Sequence, residues 1–205
     1  HLEVGTLKCY AGEAEKDREA ASALQDLVGV KFTVWRLEVL AAAWYGCRDR
    51  DSVCPCDGLL QVLSSSTHVP SGLSTVELHR ISLQPHQLRQ FAGLFPEVEI
   101  VSLSQCSFTP GMLIECVEAS SKITFVSIML RKDVEGDALE TFCEELLGAC
   151  SAVQSVRAGN GRELVLYFDK YFNSPLQAKA LKKYQGMWQE RMAGALQKVK
   201  LETEN

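Results

Sequence analysis

No apolar run in this chain approaches the ~20 residues needed to cross a bilayer, and no charged-then-apolar leader opens it. No membrane association is therefore expected, and the cytoplasm is the expected compartment. No charge of one sign dominates either: the formal net charge is −5 over 205 residues, with acidic and basic residues interspersed. That balance argues against a nucleic-acid partner. The usual catalytic signatures are absent too. There is no His-Glu-x-x-His and no Gly-x-Ser-x-Gly, and Gly159-Asn160-Gly161 lacks the following lysine of a phosphate-binding loop. Of the four histidines, only His79 falls in an expected strand, with Glu77 two residues earlier on the same strand face. No local signature supports a Cys–His pair. The chain is expected to be non-catalytic and to need no cofactor.

What is present is a repeat. Leu73-x-x-Val76-x-Leu78-x-x-Ile81-x-Leu83 recurs as Val98-x-x-Val101-x-Leu103-x-x-Cys106-x-Phe108. Ile123-x-x-Val126-x-Ile128 opens a third copy and Val153-x-x-Val156-x-Ala158 a weaker fourth, the starts lying 25, 25 and 30 residues apart. Apolar residues at fixed positions with a period of roughly 20–30 residues mark a stacked unit that cannot bury its apolar face alone. Val34-x-x-Leu37-x-Val39, in the strand-like Phe32–Val39, matches the first half of the pattern and extends the array toward the N-terminus.

These residues resemble the leucine-rich repeat, and more narrowly its ribonuclease-inhibitor-like, cysteine-containing form. Val98 to Ser121 is the best match, with Cys106 at the ninth position and the helix-like Met112–Ser121 after Thr109-Pro110-Gly111. The match covers roughly 73–158. It departs from the pattern at Ile81 and at Met129-Leu130-Arg131-Lys132, which suggests a short, divergent array. The resemblance implies an α/β solenoid, with a parallel sheet on one face and helices on the other. It also implies a protein-interaction or scaffold role, with another protein as partner and a place in a larger complex as one form of it.

With 46% hydrophobic residues the chain can bury a core as one domain over 1–205. The expected layout is a capping helix in 10–29, a repeat array over 32–158 with a loop insertion at 46–57, and a closing strand and capping helix in 159–205. Glu13–Val28 carries Ala20, Ala23, Leu24 and Leu27 at helical spacing. Pro85 and Pro110 each open a short helix, with Thr109 a plausible N-cap. Asp137–Cys150 reads as the longest helix of the repeats. Asn160-Gly161 between VQSVRAG and RELVLYF predicts an antiparallel hairpin that would protect the sheet's open edge. Ser174-Pro175 starts a last helix expected to run to about Lys200, with Leu181, Tyr184, Trp188, Met192, Leu196 and Val199 on its inner face. Its lysines and arginines fall on the opposite side, which fits a solvated face or an acidic or phosphate contact. Because the chain starts at His1 rather than Met, it is expected to be a fragment or processed product, with His1-Leu2-Glu3 open to reading as a vector remnant.

Cysteine usage divides. Cys106, Cys116, Cys143 and Cys150 fall at inward positions and are expected to be reduced core residues. Cys47, Cys54 and Cys56 lie in the loop-like GCRDRDSVCPCDG. Three readings stand there: an unremarkable loop, a disulfide, or zinc with His68 as a further ligand, although the Cys54-Pro55-Cys56 spacing is not that of a common zinc knuckle. A zinc enzyme or regulatory subunit using Cys54, Cys56 and His68 is the alternative function.

In the repeat reading, the residues between the core positions line up on a concave sheet face. The rows are Arg36, Thr75, Ile100, Phe125 and Ser155; then Glu38, Glu77, Ser102, Ser127 and Arg157; then His79, Ser104 and Met129. Ile100, Phe125 and Met129 form an apolar patch flanked by Glu77 and Arg157, and with His79 these are the candidate partner-binding residues. The opposing possibility is that the last helix or the 46–57 loop folds over this face.

Overall fold

The computed structural model describes residues 2–11, 32–41, 53–55, 57, 60, 72–94, 96–160, 162–169, 174–194 and 198–203. In chain order these form β1 (Leu2–Ala11), β2 (Phe32–Ala41), β3 (Cys54–Pro55), β4 (Thr75–His79), β5 (Ile81–Ser82), α1 (Gln87–Leu94), β6 (Ile100–Ser104), α2 (Pro110–Ala119), β7 (Phe125–Met129), α3 (Gly136–Asn160), β8 (Leu164–Phe168), α4 (Pro175–Arg191) and β9 (Val199–Thr203). Seven strands make one parallel sheet in the order β1-β2-β4-β6-β7-β8-β9, so each strand pairs with the next long strand in the chain.

Local sequence explains the strands. In β4, β6 and β7, Val76 and Leu78, Val101 and Leu103, and Val126 and Ile128 are buried, while their neighbours are half-buried or exposed. This is the two-residue period of a strand with one face in a core. The register puts equivalent repeat positions side by side: Thr75 beside Ile100 beside Phe125, and Leu78 beside Leu103 beside Ile128. The buried columns join Leu88 and Phe91 of α1, Leu113 and Cys116 of α2, and Leu139, Phe142 and Leu146 of α3 in one hydrophobic cluster. Successive helices α1 to α4 pack against one another. Parallel strands need long crossovers, and from β4 onward α1 to α4 supply them while covering one sheet face. None of the described helices is long and apolar enough to cross a membrane.

The expected inward cysteines are buried free thiols, joined by Cys9. Burial pushes Cys106, Cys116 and Cys150 up to about 12 and Cys143 up to about 11. These thiols stay protonated at neutral pH and serve as small hydrophobes. Cys106 also donates from Sγ to the Leu78 carbonyl at 3.2 Å, tying one strand unit to the next.

Several expectations are corrected. Val153, Val156 and Ala158 belong to α3, which runs on from the expected Asp137–Cys150 helix to Asn160 instead of giving way to a fourth strand. The first pair's spacing of three also suits a helix face, and Val153 points into the core. The hairpin at Asn160-Gly161 does not form: Asn160 ends α3, and Leu164–Phe168 pairs parallel to β7. The last helix stops at Arg191, and Val199 lies in β9 rather than on a helix. Leu2–Ala11, for which no strand was expected, forms β1 and pairs parallel with β2. Thr109 is an extended N-cap with no side-chain cap bond, whereas Ser174 and Gln177 make a reciprocal capping box at the start of α4. The expected helix over Glu13–Val28, Cys47, Cys56 and His68 lie outside the described residues.

The far edge of the sheet is sealed by side chains. Leu164 donates to the Lys198 carbonyl, so alternation turns the polar groups of Val199 and Leu201 away from β8. Trp188 Nε1 donates to the Val199 carbonyl at 3.1 Å and Gln185 Nε2 to the Leu201 carbonyl at 2.9 Å. Gln154 Oε1 accepts from the amides of Lys198 and Val199 at 2.7 and 2.9 Å. Helices α3 and α4 thus perform the edge protection expected of a hairpin.

Candidate partner-binding face

The face of the sheet turned away from the core columns carries three rows set by strand register. The first runs Arg36, Thr75, Ile100, Phe125, Val165 and Lys200. The second runs Lys8, Glu38, Glu77, Ser102, Ser127, Tyr167 and Glu202. The third includes His79, Ser104 and Met129. Glu77, His79, Ile100, Phe125 and Met129 are therefore brought together on one face, as the repeat spacing predicts.

Arg157 and Ser155 are not on it. Both lie in α3, where Ser155 is exposed and Arg157 is only 3% exposed. The Arg157 guanidinium donates from Nη2 to the Ile123 carbonyl at 2.7 Å and from Nη1 to the Arg162 carbonyl at 2.9 Å. Burial lowers its pKa. Its role is to tie the end of α3 to the residues entering β7 and β8, satisfying carbonyls that would otherwise be unpaired. Val165 and Tyr167 of β8 take the places expected for Ser155 and Arg157. They were legible in part, because Leu164–Phe168 is apolar without interruption, the mark of a strand with apolar contacts on both faces.

The apolar part of the face centres on Phe125 and Tyr167, whose rings stack at 5.8 Å between centroids and 28° between planes. Ile100, 39% exposed, adjoins Phe125 in the first row. Met129, at the end of β7, receives the Ser104 hydroxyl on Sδ at 3.3 Å.

The β2–β4 end is ionic. Lys8 Nζ lies 3.0 Å from Glu38, and Arg36 Nη2 lies 2.5 Å from Glu77. His79 Nε2 stands 3.6 Å from Glu77 Oε2 and 4.0 Å from Glu38 Oε1, so one imidazole is flanked by two carboxylates. The contact with His79, aided by Arg36, holds the Glu77 carboxyl below its usual range despite partial burial. A lowered folded-state pKa contributes stability above the ordinary carboxylate range, lost as pH falls through the folded value. At pH 7, Glu77→Gln is expected to cost about 1 kcal/mol. Urea unfolding should show that gap closing as pH falls below the ordinary carboxylate range and through the lowered folded-state value. A gap of constant size across pH would mean that the charge on Glu77 contributes nothing.

Among the described residues, no cluster of three or more His, Cys, Asp or Glu could hold a metal ion. The backbone of Cys54 pairs with Ile81 in the short β3–β5 ladder. No protein-family model matches the chain, and no curated protein matches it.

Proposed function

We propose that this chain is a non-catalytic recognition module, a short solenoid of leucine-rich-repeat-like units that docks another protein on the sheet face opposite its helices. The observation that carries the reading is the half-exposed apolar cluster of Ile100, Phe125, Val165, Tyr167 and Met129 on a face the described helices leave uncovered. Ion pairs border it at the β2–β4 end, and Lys200 and Glu202 border it at β9. Apolar surface rimmed by polar groups favours a protein partner, with stacked aromatics as anchors. The monotonic strand order fits stacked repeats, each contacting its neighbours. The charged border would set the partner's orientation more than its affinity.

The test is a triple variant, Ile100→Ser with Phe125→Ser and Tyr167→Ser, compared with wild type by quantitative affinity capture from native lysate and by thermal melting. The expected result is loss of a specific partner, with a melting shift well below that of a core substitution. Retention of every partner alongside a fall typical of polar substitutions in a core, several kcal/mol, would overturn the assignment.

A further inference from the structure

At the carboxyl ends of β4, β6 and β7 the chain makes turns that the docking face does not use. Arg80 and Gln105, which directly follow β4 and β6, adopt left-handed backbone conformations with φ of 56° and 54°. Neither is glycine, so each conformation costs free energy and persists only because the surroundings impose it. The ladder continues through both turns, with the Arg80 amide donating to the Ser104 carbonyl and the Gln105 amide to the Met129 carbonyl, each at 2.8 Å. Side chains at these positions are thereby held at the rim.

They border a cavity of about 310 Å³ whose described lining is Arg80, Gln105, Arg131, Lys132 and Asp133. That volume is at the small end of the range for small-molecule sites, roughly 300–1,000 Å³. Every one of these side chains is polar, with three cations against one carboxylate. Arg80 Nε donates to Gln105 Oε1 at 2.9 Å, and Arg131 grips Asp133 through two bonds of 2.8 and 2.5 Å, which fixes both guanidinium planes. Lys132 is exposed and makes no ion pair among the described residues. The loop is rigid as well, because the wholly buried Gln177 donates from Nε2 to the Arg131 and Val134 carbonyls at 2.6 and 2.9 Å.

We propose that this cavity binds the dianionic phosphate group of a small phosphorylated ligand, with Arg80, Arg131 and Lys132 as its cationic wall. Fixed guanidinium forks match phosphate oxygens in pairs, and the lysine adds a point charge. Among the described lining residues three cations face one carboxylate, which suits a doubly charged group better than a monocarboxylate. Asp133 competes for Arg131 and so sets the affinity low. The proposal does not depend on the partner-docking reading.

The test is a titration of the full chain with inorganic phosphate and with phenyl phosphate, followed by NMR chemical shifts, with benzoate as the singly charged control. Saturable binding of the two phosphates is expected at millimolar concentrations or below. Lys132→Gln and Arg80→Gln should each weaken it about tenfold, the usual scale for one charge-assisted contact. Asp133→Asn, which removes the carboxylate that competes with phosphate for Arg131, should tighten it several-fold, a sign that damage to the fold could not produce. Lys179→Gln, on the exposed side of α4, should leave binding unchanged. The proposal is overturned by absence of saturation, by equal binding of benzoate, by equal weakening in Lys179→Gln, or by weaker binding in Asp133→Asn.

Discussion

Trp188→Ala should destabilise the chain by about 5 kcal/mol, the largest effect expected of any single substitution considered. Trp188 is 1% exposed in the main core cluster and its indole supplies the donor for the Val199 carbonyl on the outer edge of β9. Truncating a buried tryptophan costs about 3–5 kcal/mol, and a carbonyl left unpaired adds about 1–3. For a chain of this length the melting temperature should fall by about 10–20 °C. Trp188→Phe keeps much of the volume and loses only the donor, so its cost should be nearer 2 kcal/mol. The alanine variant should also associate as concentration rises, because an unsealed parallel edge offers unpaired backbone groups to a second copy. Calorimetric melts at two protein concentrations check both effects. A fall of only a degree or two in the alanine variant would show that α4 does not hold this edge.

Gln177→Glu should be nearly as damaging at neutral pH, although it changes a single atom type. The native Oε1 accepts from the Ser174 amide in the capping box, and glutamate preserves that bond. The native Nε2 faces two carbonyls, and a carboxylate oxygen there would repel both in a fully buried site. Two lost bonds and an unpaired buried charge together cost about 4 kcal/mol at pH 7, or roughly 10 °C. Because burial raises the folded-state pKa of this carboxyl above its unfolded value, the penalty shrinks as pH falls toward the ordinary carboxylate range. Protonation restores one donor, so melts at pH 7 and near pH 4 should converge on wild type from below. Gln177→Leu should show a similar loss at pH 7 with no such recovery. If the glutamate and leucine variants respond to pH in parallel, the buried carboxylate is not the cause. Either substitution loosens the 131–134 loop and should weaken phosphate binding in the neighbouring cavity.

The candidate face illustrates how much of this was legible beforehand. The 25-residue repeat placed Ile100, Phe125, Glu77, His79 and Met129 together because strand register follows directly from equivalent repeat positions. It failed at Arg157, where Val153-x-x-Val156 satisfies the repeat template and a helix face alike, and the helix won. The Tyr167–Phe125 stack was out of reach for the same reason, since it needs β8 parallel and next to β7. The phosphate cavity has no linear signature, because its residues come from three successive turns.

The sequence by itself determined the alternation of core and surface positions in β4, β6 and β7, the inward cysteines and the helices that follow proline. Those signals are local and repeat in phase, so every copy reinforces one register. Tertiary structure alone decided the fate of the C-terminal third. Asn160-Gly161 favours a hairpin locally, but local turn preferences are small. Adding Leu164–Phe168 as a parallel strand buries Leu164, Leu166 and Phe168 on the core face and sets Val165 and Tyr167 beside Phe125 on the other. The residues after α4 likewise become β9 because Gln154, Gln185 and Trp188 offer partners to that backbone. Those partners stand 11 to 45 residues away in sequence, and only the packed helices bring them to the edge of the sheet.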